Sequence, residues 1–495
     1  MRYVSTRNNN DTVSAAMAIK EGLSKNGGLF VPEKLPSLTP EIYSYLSNVS
    51  YKKRAAYILN LFLEEFTFGE LNDFTEKAYG NNKFGSENTA PLHEYDEKTY
   101  FLELWHGPTC AFKDMALQML PHLLIASARK TGDQRTVTIL VATSGDTGKA
   151  ALDGFADVEG SKIIVFYPKD GVSEIQRLQM ITQQGENVSV CGVDGNFDDA
   201  QTGVKEIFTD AEFNDELNRK GIILSSANSI NWGRLAPQIV YYISSYVDLV
   251  KDKKIKQGDK INICVPTGNF GNILAAYYAK QMGLPINKLI CASNSNNILT
   301  DFINTGVYDR NRKFILTMSP SMDILISSNL ERYLYDASGN DDKYINEIMN
   351  KLKSEGRYEV TDKIKEKINS DFFADFASEE ETTAEIKRCF DEKGYLIDTH
   401  TAVASCVMNK YRAKTGDETI SIIASTANPY KFSASVLTAI GGEKLEDEFE
   451  MLDALNKKSG LEIPASLKEL KTAKKRFNEY CSKTGLKNAV SEFLK

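Results

Sequence analysis

The segment HGPTCAFKDMA, from His106 to Ala116, sets Lys113 directly after an aromatic residue and just ahead of the apolar run MALQMLPHLLIASA. That run suits a buried helix, so the Lys113 ammonium lies where the chain turns inward. A lysine so placed is paired, desolvated or chemically employed, because burial favours the neutral, nucleophilic amine. The positive end of a helix pushes the same way. The chemistry open to such a group is attack on a carbonyl carbon and movement of a proton.

Further polar groups stand at the ends of apolar runs. In VATSGDTGKAAL, the residues Ser144, Gly145, Asp146, Thr147 and Gly148 form a tight turn into a helix, able to present N–H groups and hydroxyls to an anion. It is not a nucleotide P-loop. That motif needs Gly five residues before its second Gly and Ser or Thr after its Lys; Thr143 and Ala150 occupy those places. The bland alternative is an ordinary turn capped by Thr147. In CVPTGNFGNILAAYYAKQMG, Gly268 and Gly271 bracket a loop that runs into a helix. These are the ingredients of a phosphate cup: close backbone approach, then a helix N-terminus aimed at the anion. In IIASTANPYKF, Ser425 and Thr426 put hydroxyls at a strand tip, either for a ligand or to cap the next segment. In SSANSINWGRLAPQ, Asn228, Ser229 and Arg234 flank Ile230 and Trp232. The planar donors of Arg234 suit phosphate or carboxylate, with a plain surface arginine as the alternative.

The elements that position these groups are legible as short β-branched runs alternating with helical stretches. RTVTILVA, SKIIVFYP, NVSVCGV, KINICVPT, KLICASN and ETISIIAS each read as a fully buried strand of a parallel sheet. Helical stretches such as DAQTGVKEIFTDAEF fall between them, so the class is α/β with helices on both sheet faces. In open sheets of this kind ligands bind beyond the carboxyl ends of the strands, where these loops lie. Residues 1–95 read as an N-terminal helical domain, 96–440 as the catalytic α/β region with a helical insertion near 340–390, and 441–495 as a C-terminal helical segment. A chain of 495 residues exceeds one compact core. The net charge of -8 argues against general binding of nucleic acid or anionic membranes. The opening MRYVSTRNNND lacks the apolar centre of a signal peptide, and the expected location is cytoplasmic. Seven scattered cysteines without a CxxC read as reduced thiols, and four dispersed histidines make no metal site.

A lysine near a helix start, a glycine loop before a helix and a hydroxyl at a strand end together fit pyridoxal phosphate. The motifs HGPTCAFKD, TSGDTG, NSINWGR, PTGNFGN and STANPYKF, in this order, resemble those of the threonine synthases, enzymes of fold type II (tryptophan synthase β-like). MRYVSTRN, NGGLFVPEKLP and DTHTAVA add to the resemblance, which runs to about Ala465. It implies two-lobed doubly wound sheets with a helical N-terminal domain and a C-terminal helical appendage. It implies Lys113 as the Schiff-base lysine and proton shuttle. Gly268, Asn269, Phe270, Gly271 and Asn272 resemble the loop holding the cofactor phosphate, and Thr426, rather than Ser425, the partner of the pyridine nitrogen. Asp146 stands where many relatives carry asparagine near the cofactor 3-oxygen, so it must be protonated, tilted away or matched by a donor. Ser144 and Thr147 resemble groups for the substrate carboxylate; Asn228, Ser229 and Arg234 resemble a pocket for the substrate phosphate. The implied reaction turns O-phospho-L-homoserine and water into L-threonine and phosphate, in a monomer or homodimer without metal, nucleic acid or membrane. A lyase releasing 2-oxobutanoate, a serine or threonine dehydratase and a non-catalytic binding protein are the alternatives.

Overall fold

The computed structural model describes residues 1–80, 83–86, 88–143, 145–169 and 171–495. Its strands, in chain order, are β1 (Arg2–Ser5), β2 (Asn8–Ser14), β3 (Phe30–Pro32), β4 (Leu92–Asp96), β5 (Thr99–Glu103), β6 (Thr136–Ala142), β7 (Ser161–Pro168) and β8 (Val188–Asp194). There follow β9 (Ile222–Ser225), β10 (Ile261–Pro266), β11 (Ile286–Ser293), β12 (Val307–Asp309), β13 (Arg357–Glu359), β14 (Phe372–Phe376), β15 (Ser421–Ser425) and β16 (Tyr480–Ser482). Two large sheets form the α/β part of the chain. One runs β16-β8-β7-β6-β9 and is parallel throughout; the other runs β14-β11-β10-β15-β5-β4 and is parallel except for the β4–β5 pair. All six runs expected as strands are strands. Their unbroken apolar character follows from burial on both faces: every residue of β10 and β15 is buried.

Three features depart from the sequence expectation. The N-terminal unit is not helical alone, since β2-β1-β3 form an antiparallel sheet beside its helices. Strand β2 reads NNNDTVS, a polar stretch held by backbone pairing with β1, so no apolar alternation announces it. Within the region expected as a helical insertion, Phe372–Phe376 forms β14 at one edge of the six-stranded sheet, parallel to β11. The C-terminal segment contributes β16, which pairs with β8 in the other sheet. Arg476 anchors the approach to β16, donating to the carbonyls of Gln183 and Gly185 at 2.8 and 3.0 Å.

The helix Trp232–Lys251 joins β9 of one sheet to β10 of the other and is buried along nearly its whole length. Trp232 at its start packs on Tyr3, Phe62 and Tyr278, with ring centroids 5.4, 5.6 and 5.6 Å away. The N-terminal unit therefore shares a core with this helix. Arg54 and Asp248 add a 2.6 Å ion pair across the same boundary. Among the described residues no helix is long and apolar enough to cross a membrane.

Candidate active site

Five chain segments leave the carboxyl ends of β5, β6, β9, β10 and β15 and carry the residues singled out above. Lys113 follows β5. It is the N-cap of the short helix Asp114–Leu117, which precedes the helix Leu120–Lys130. Backbone pairing fixes its segment against the one after β15: Phe112 N–H donates to Thr426 O at 2.8 Å, and Asn428 N–H donates to Cys110 O at 3.0 Å. Lys113 and Thr426 are thus neighbours through the main chain. The Ser425 hydroxyl is committed elsewhere, accepting from Trp105 Nε1 at 3.0 Å and from Thr401 Oγ1 at 3.2 Å.

The turn after β6 owes its shape to Thr143, whose Oγ1 accepts from the N–H groups of Gly145 and Gly148 at 3.0 Å each. Gly145, at φ 145°, is the N-cap of the helix Asp146–Phe155. Thr147 lies half-buried in the first turn and is not its cap. Ser144 lies outside the described residues. Asp146 points at Lys113, with Oδ2 3.5 Å from Nζ. Its Oδ1 faces Lys431 Nζ at 2.8 Å and accepts from Gln176 Nε2 at 3.2 Å. Two lysines and a glutamine amide thus surround this aspartate. Burial alone would raise its pKa, but the charges of Lys431 and Lys113 outweigh that and hold the carboxyl far below the ordinary range. Lys113 is lowered from the usual lysine value. Burial does most of this; Asp146 opposes it, and the charges of Lys431 and Arg234 reinforce it.

In the loop after β10, Phe270 takes the left-handed conformation at φ 63° and is the N-cap of the helix Gly271–Gln281. Its buried ring, packed on Phe372 at 5.6 Å, offsets the cost of that backbone. Among the described residues, no acceptor meets the N–H groups of Gly268, Asn269, Phe270 and Gly271. The loop carbonyls are occupied instead: Ser327 Oγ donates to Gly268 O at 2.7 Å, and Asn329 N–H donates to Asn269 O at 3.1 Å. A Cβ on Gly268 would lie 2.7 Å from Ser321 O, so only glycine fits this approach. Asn269 is exposed. The Asn272 amide oxygen turns away, accepting from the hydroxyls of Tyr241 at 2.9 Å and of Tyr242.

Arg234 is buried in the first turn of the helix Trp232–Lys251 and donates to Ala227 O at 2.8 Å. Burial pushes its guanidinium down to about 10, which leaves it charged at neutral pH. Asn228 is exposed and Ser229 half-buried. One residue ties their segment to the glycine loop: Asn329 Nδ2 donates to Ser229 O at 3.3 Å and to Asn269 O at 3.1 Å.

Three family models match the chain: Threonine synthase N terminus over residues 2–79, Pyridoxal-phosphate dependent enzyme over 86–361, and Threonine synthase, C-terminal over 401–490. A threonine synthase of Saccharomyces cerevisiae is 38% identical, across 99% of this chain and 98% of its own. This chain belongs to the threonine synthase family. The human Threonine synthase-like 1 is 44% identical across 86% of this chain, which spans only 57% of that relative's length. Solved structures agree. A PLP-bound threonine synthase from Brucella melitensis is 35% identical with a TM-score of 0.89, covering 100% of this chain and 99% of its own. The yeast threonine synthase structure, at 36% identity, also gives 0.89, covering 100% and 98%.

The residues present fit the cofactor that names the wider family. N–H groups without an acceptor, beside a glycine no side chain could replace, are what a phosphate would need, and a buried amine of lowered pKa is linked to the same turn through Ser321. Sequence reasoning in this threonine synthase relative missed four contributors. Lys431 lies inside a motif quoted for the resemblance, yet nothing local distinguishes it from a surface lysine. Ser321 accepts from Lys113 Nζ at 3.1 Å, and its N–H donates to His400 Nε2 at 3.2 Å. The ring is oriented by Asp398, 3.0 Å from Nδ1. Asn329 completes the set. DTHTAVA carried a signal for His400; the stretches around Ser321 and Asn329 carried none.

Proposed function

We propose that this chain is a threonine synthase, a carbon–oxygen lyase acting on a phosphate ester, converting O-phospho-L-homoserine and water to L-threonine and phosphate. The observation that carries the reading is the buried Lys113 amine, set between Asp146 and the Ser321 segment that closes on the Gly268 turn. The substrate follows from the family to which the chain belongs. We place the activity in the cytoplasm, in a monomer or homodimer.

When bound, pyridoxal phosphate supplies an electron sink that acidifies the carbons next to the substrate amine. The protein's part is attachment, orientation and proton traffic. Lys113 would provide the amine that holds the cofactor and the base that moves protons at Nζ. Its lowered pKa keeps a larger share of it neutral than an exposed lysine would have at the same pH. The N–H groups of Gly268 to Asn272 would hold the cofactor phosphate, and the Thr426 hydroxyl would serve the ring nitrogen. A neutral hydroxyl there does not force that nitrogen to stay protonated. Asp146, already paired with Lys431, would stand by the cofactor oxygen with that lysine as its donor partner. Ser144 and Thr147 take the substrate carboxylate. Asn228, Ser229 and Arg234 take the substrate phosphate, where a buried guanidinium binds more strongly than an exposed one.

The test is product analysis by NMR, with the full chain, pyridoxal phosphate and O-phospho-L-homoserine. Threonine and phosphate are expected in equal amounts, with Lys113→Ala folded but inactive. Release of 2-oxobutanoate in place of threonine would point to elimination alone, and absence of phosphate release would sink the substrate assignment. Turnover retained in Lys113→Ala would sink the role of the lysine.

A further inference from the structure

Asp146 lies between the amino groups of two buried lysines. Lys431 Nζ is 2.8 Å from Oδ1, with its side chain 1% exposed, whereas Lys113 Nζ is 3.5 Å from Oδ2. Lys431 is also tied down at both ends. Its Nζ donates to Thr109 O at 2.9 Å and its backbone N–H to Asn428 O at 3.0 Å. Charged or titratable groups reach this cluster from several elements, and the buried Cys110 thiol, three residues before Lys113, also feels Lys431 and Asp146. Arg234 comes from the helix Trp232–Lys251, His400, backed by Asp398, from the helix Thr399–Thr415, and Asp114 follows Lys113. Asp114 spends both carboxyl oxygens on Thr109. One carboxylate is thus shared by two lysines, and the shorter contact belongs to Lys431.

We propose that Lys431 is a positioning residue: by holding Asp146 as its own partner, it keeps that carboxylate from closing on Lys113 and leaves Lys113 a free amine. A one-to-one pair in so buried a place would keep the proton on Lys113, since an adjacent opposite charge favours the charged form. With Lys431 present, Asp146 is neutralised in advance, and the extra positive charge works against protonation of Lys113. The idea rests on Lys113 being the cofactor lysine. It explains how an aspartate is tolerated beside an amine that must act as a nucleophile.

The experiment labels the full-length chain, freed of pyridoxal phosphate, with limiting acetic anhydride across about pH 6 to 11, and reads Lys113 acetylation by peptide mass spectrometry. Lys431→Met is expected to raise the labelling midpoint by about one pH unit or more, a tenfold loss of free amine at any pH below it. Lys431→Gln, which retains a neutral donor to Asp146, shifts it in the same direction and serves if the methionine variant fails to fold. Lys431→Arg keeps the charge and stays within about 0.3 unit. The double change Lys431→Met with Asp146→Asn returns the midpoint to the wild-type value or lower. A midpoint unmoved in both neutral variants, or equally raised in the double variant, overturns the proposal. These outcomes separate from those of the product assay. A chain that makes no threonine but shows the shift refutes the functional reading alone, and one that makes threonine without the shift refutes this proposal alone.

Discussion

Asp114, one residue past Lys113, is fully buried, and its carboxyl accepts from Thr109 N–H at 2.8 Å and Thr109 Oγ1 at 2.7 Å. Burial, helped by the charge of Asp153, pushes its pKa up to about 7. The folded state therefore holds this proton more tightly than the unfolded chain, where an aspartate titrates near about 4. The sign follows: its contribution to stability is complete below about pH 4 and lost as pH rises through about 7. Asp114→Asn keeps an acceptor for Thr109 N–H and removes the titration. Thermal melts at pH 5 and pH 8 should show a smaller loss in the variant than in the wild type, by an amount on the order of a few kcal/mol at most. Identical pH dependence in the two would show that Asp114 does not titrate in this range. At this scale the sequence marked Lys113 by its neighbours, because an aromatic residue and an apolar helix bury whatever lies between them. It could not tell Lys431 from other lysines, since what makes it unusual is a carboxylate 285 positions away in the chain.

The loop after β10 and the Ser321 segment are built as one element, although some 50 residues separate them. Their contact is backbone against backbone at Gly268, so a methyl group there has no flexible neighbour to displace. Gly268→Ala is expected to weaken pyridoxal phosphate about tenfold or more, roughly 1.4 kcal/mol or above, because Ser321 and the N–H cradle must move apart. Absorbance titration of the cofactor-free variant measures this, and unchanged affinity would remove the cradle from the phosphate site. The buried strands were readable as runs of β-branched residues because both their faces are covered. β2 and β14 were not. A polar strand held by backbone pairing, and an edge strand inside charged helical sequence, have no periodicity of their own to display.

Across the molecule, the N-terminal unit meets the helix that joins the two sheets at Trp232, two residues before Arg234. Its ring touches Tyr3 of β1, Phe62 of the helix Tyr51–Phe62 and Tyr278 of the helix after the glycine loop. Trp232→Ala leaves a cavity shared by three parts of the fold and should cost about 3–5 kcal/mol in denaturant unfolding. Loss below about 1 kcal/mol would mean that the N-terminal unit packs there without supporting the rest. The sequence alone determined the α/β class, the strand runs, the loops that bear chemistry and the family they resemble, because each is written in short local patterns of burial, glycine and charge. Only tertiary structure decided how Asp146 is neutralised, that the Ser425 hydroxyl is committed to Trp105 and Thr401, and that Ser321, His400 and Asn329 gather around Lys113 and the glycine loop. Those facts depend on which strand ends are brought side by side, and pairings between distant segments leave no mark in local periodicity.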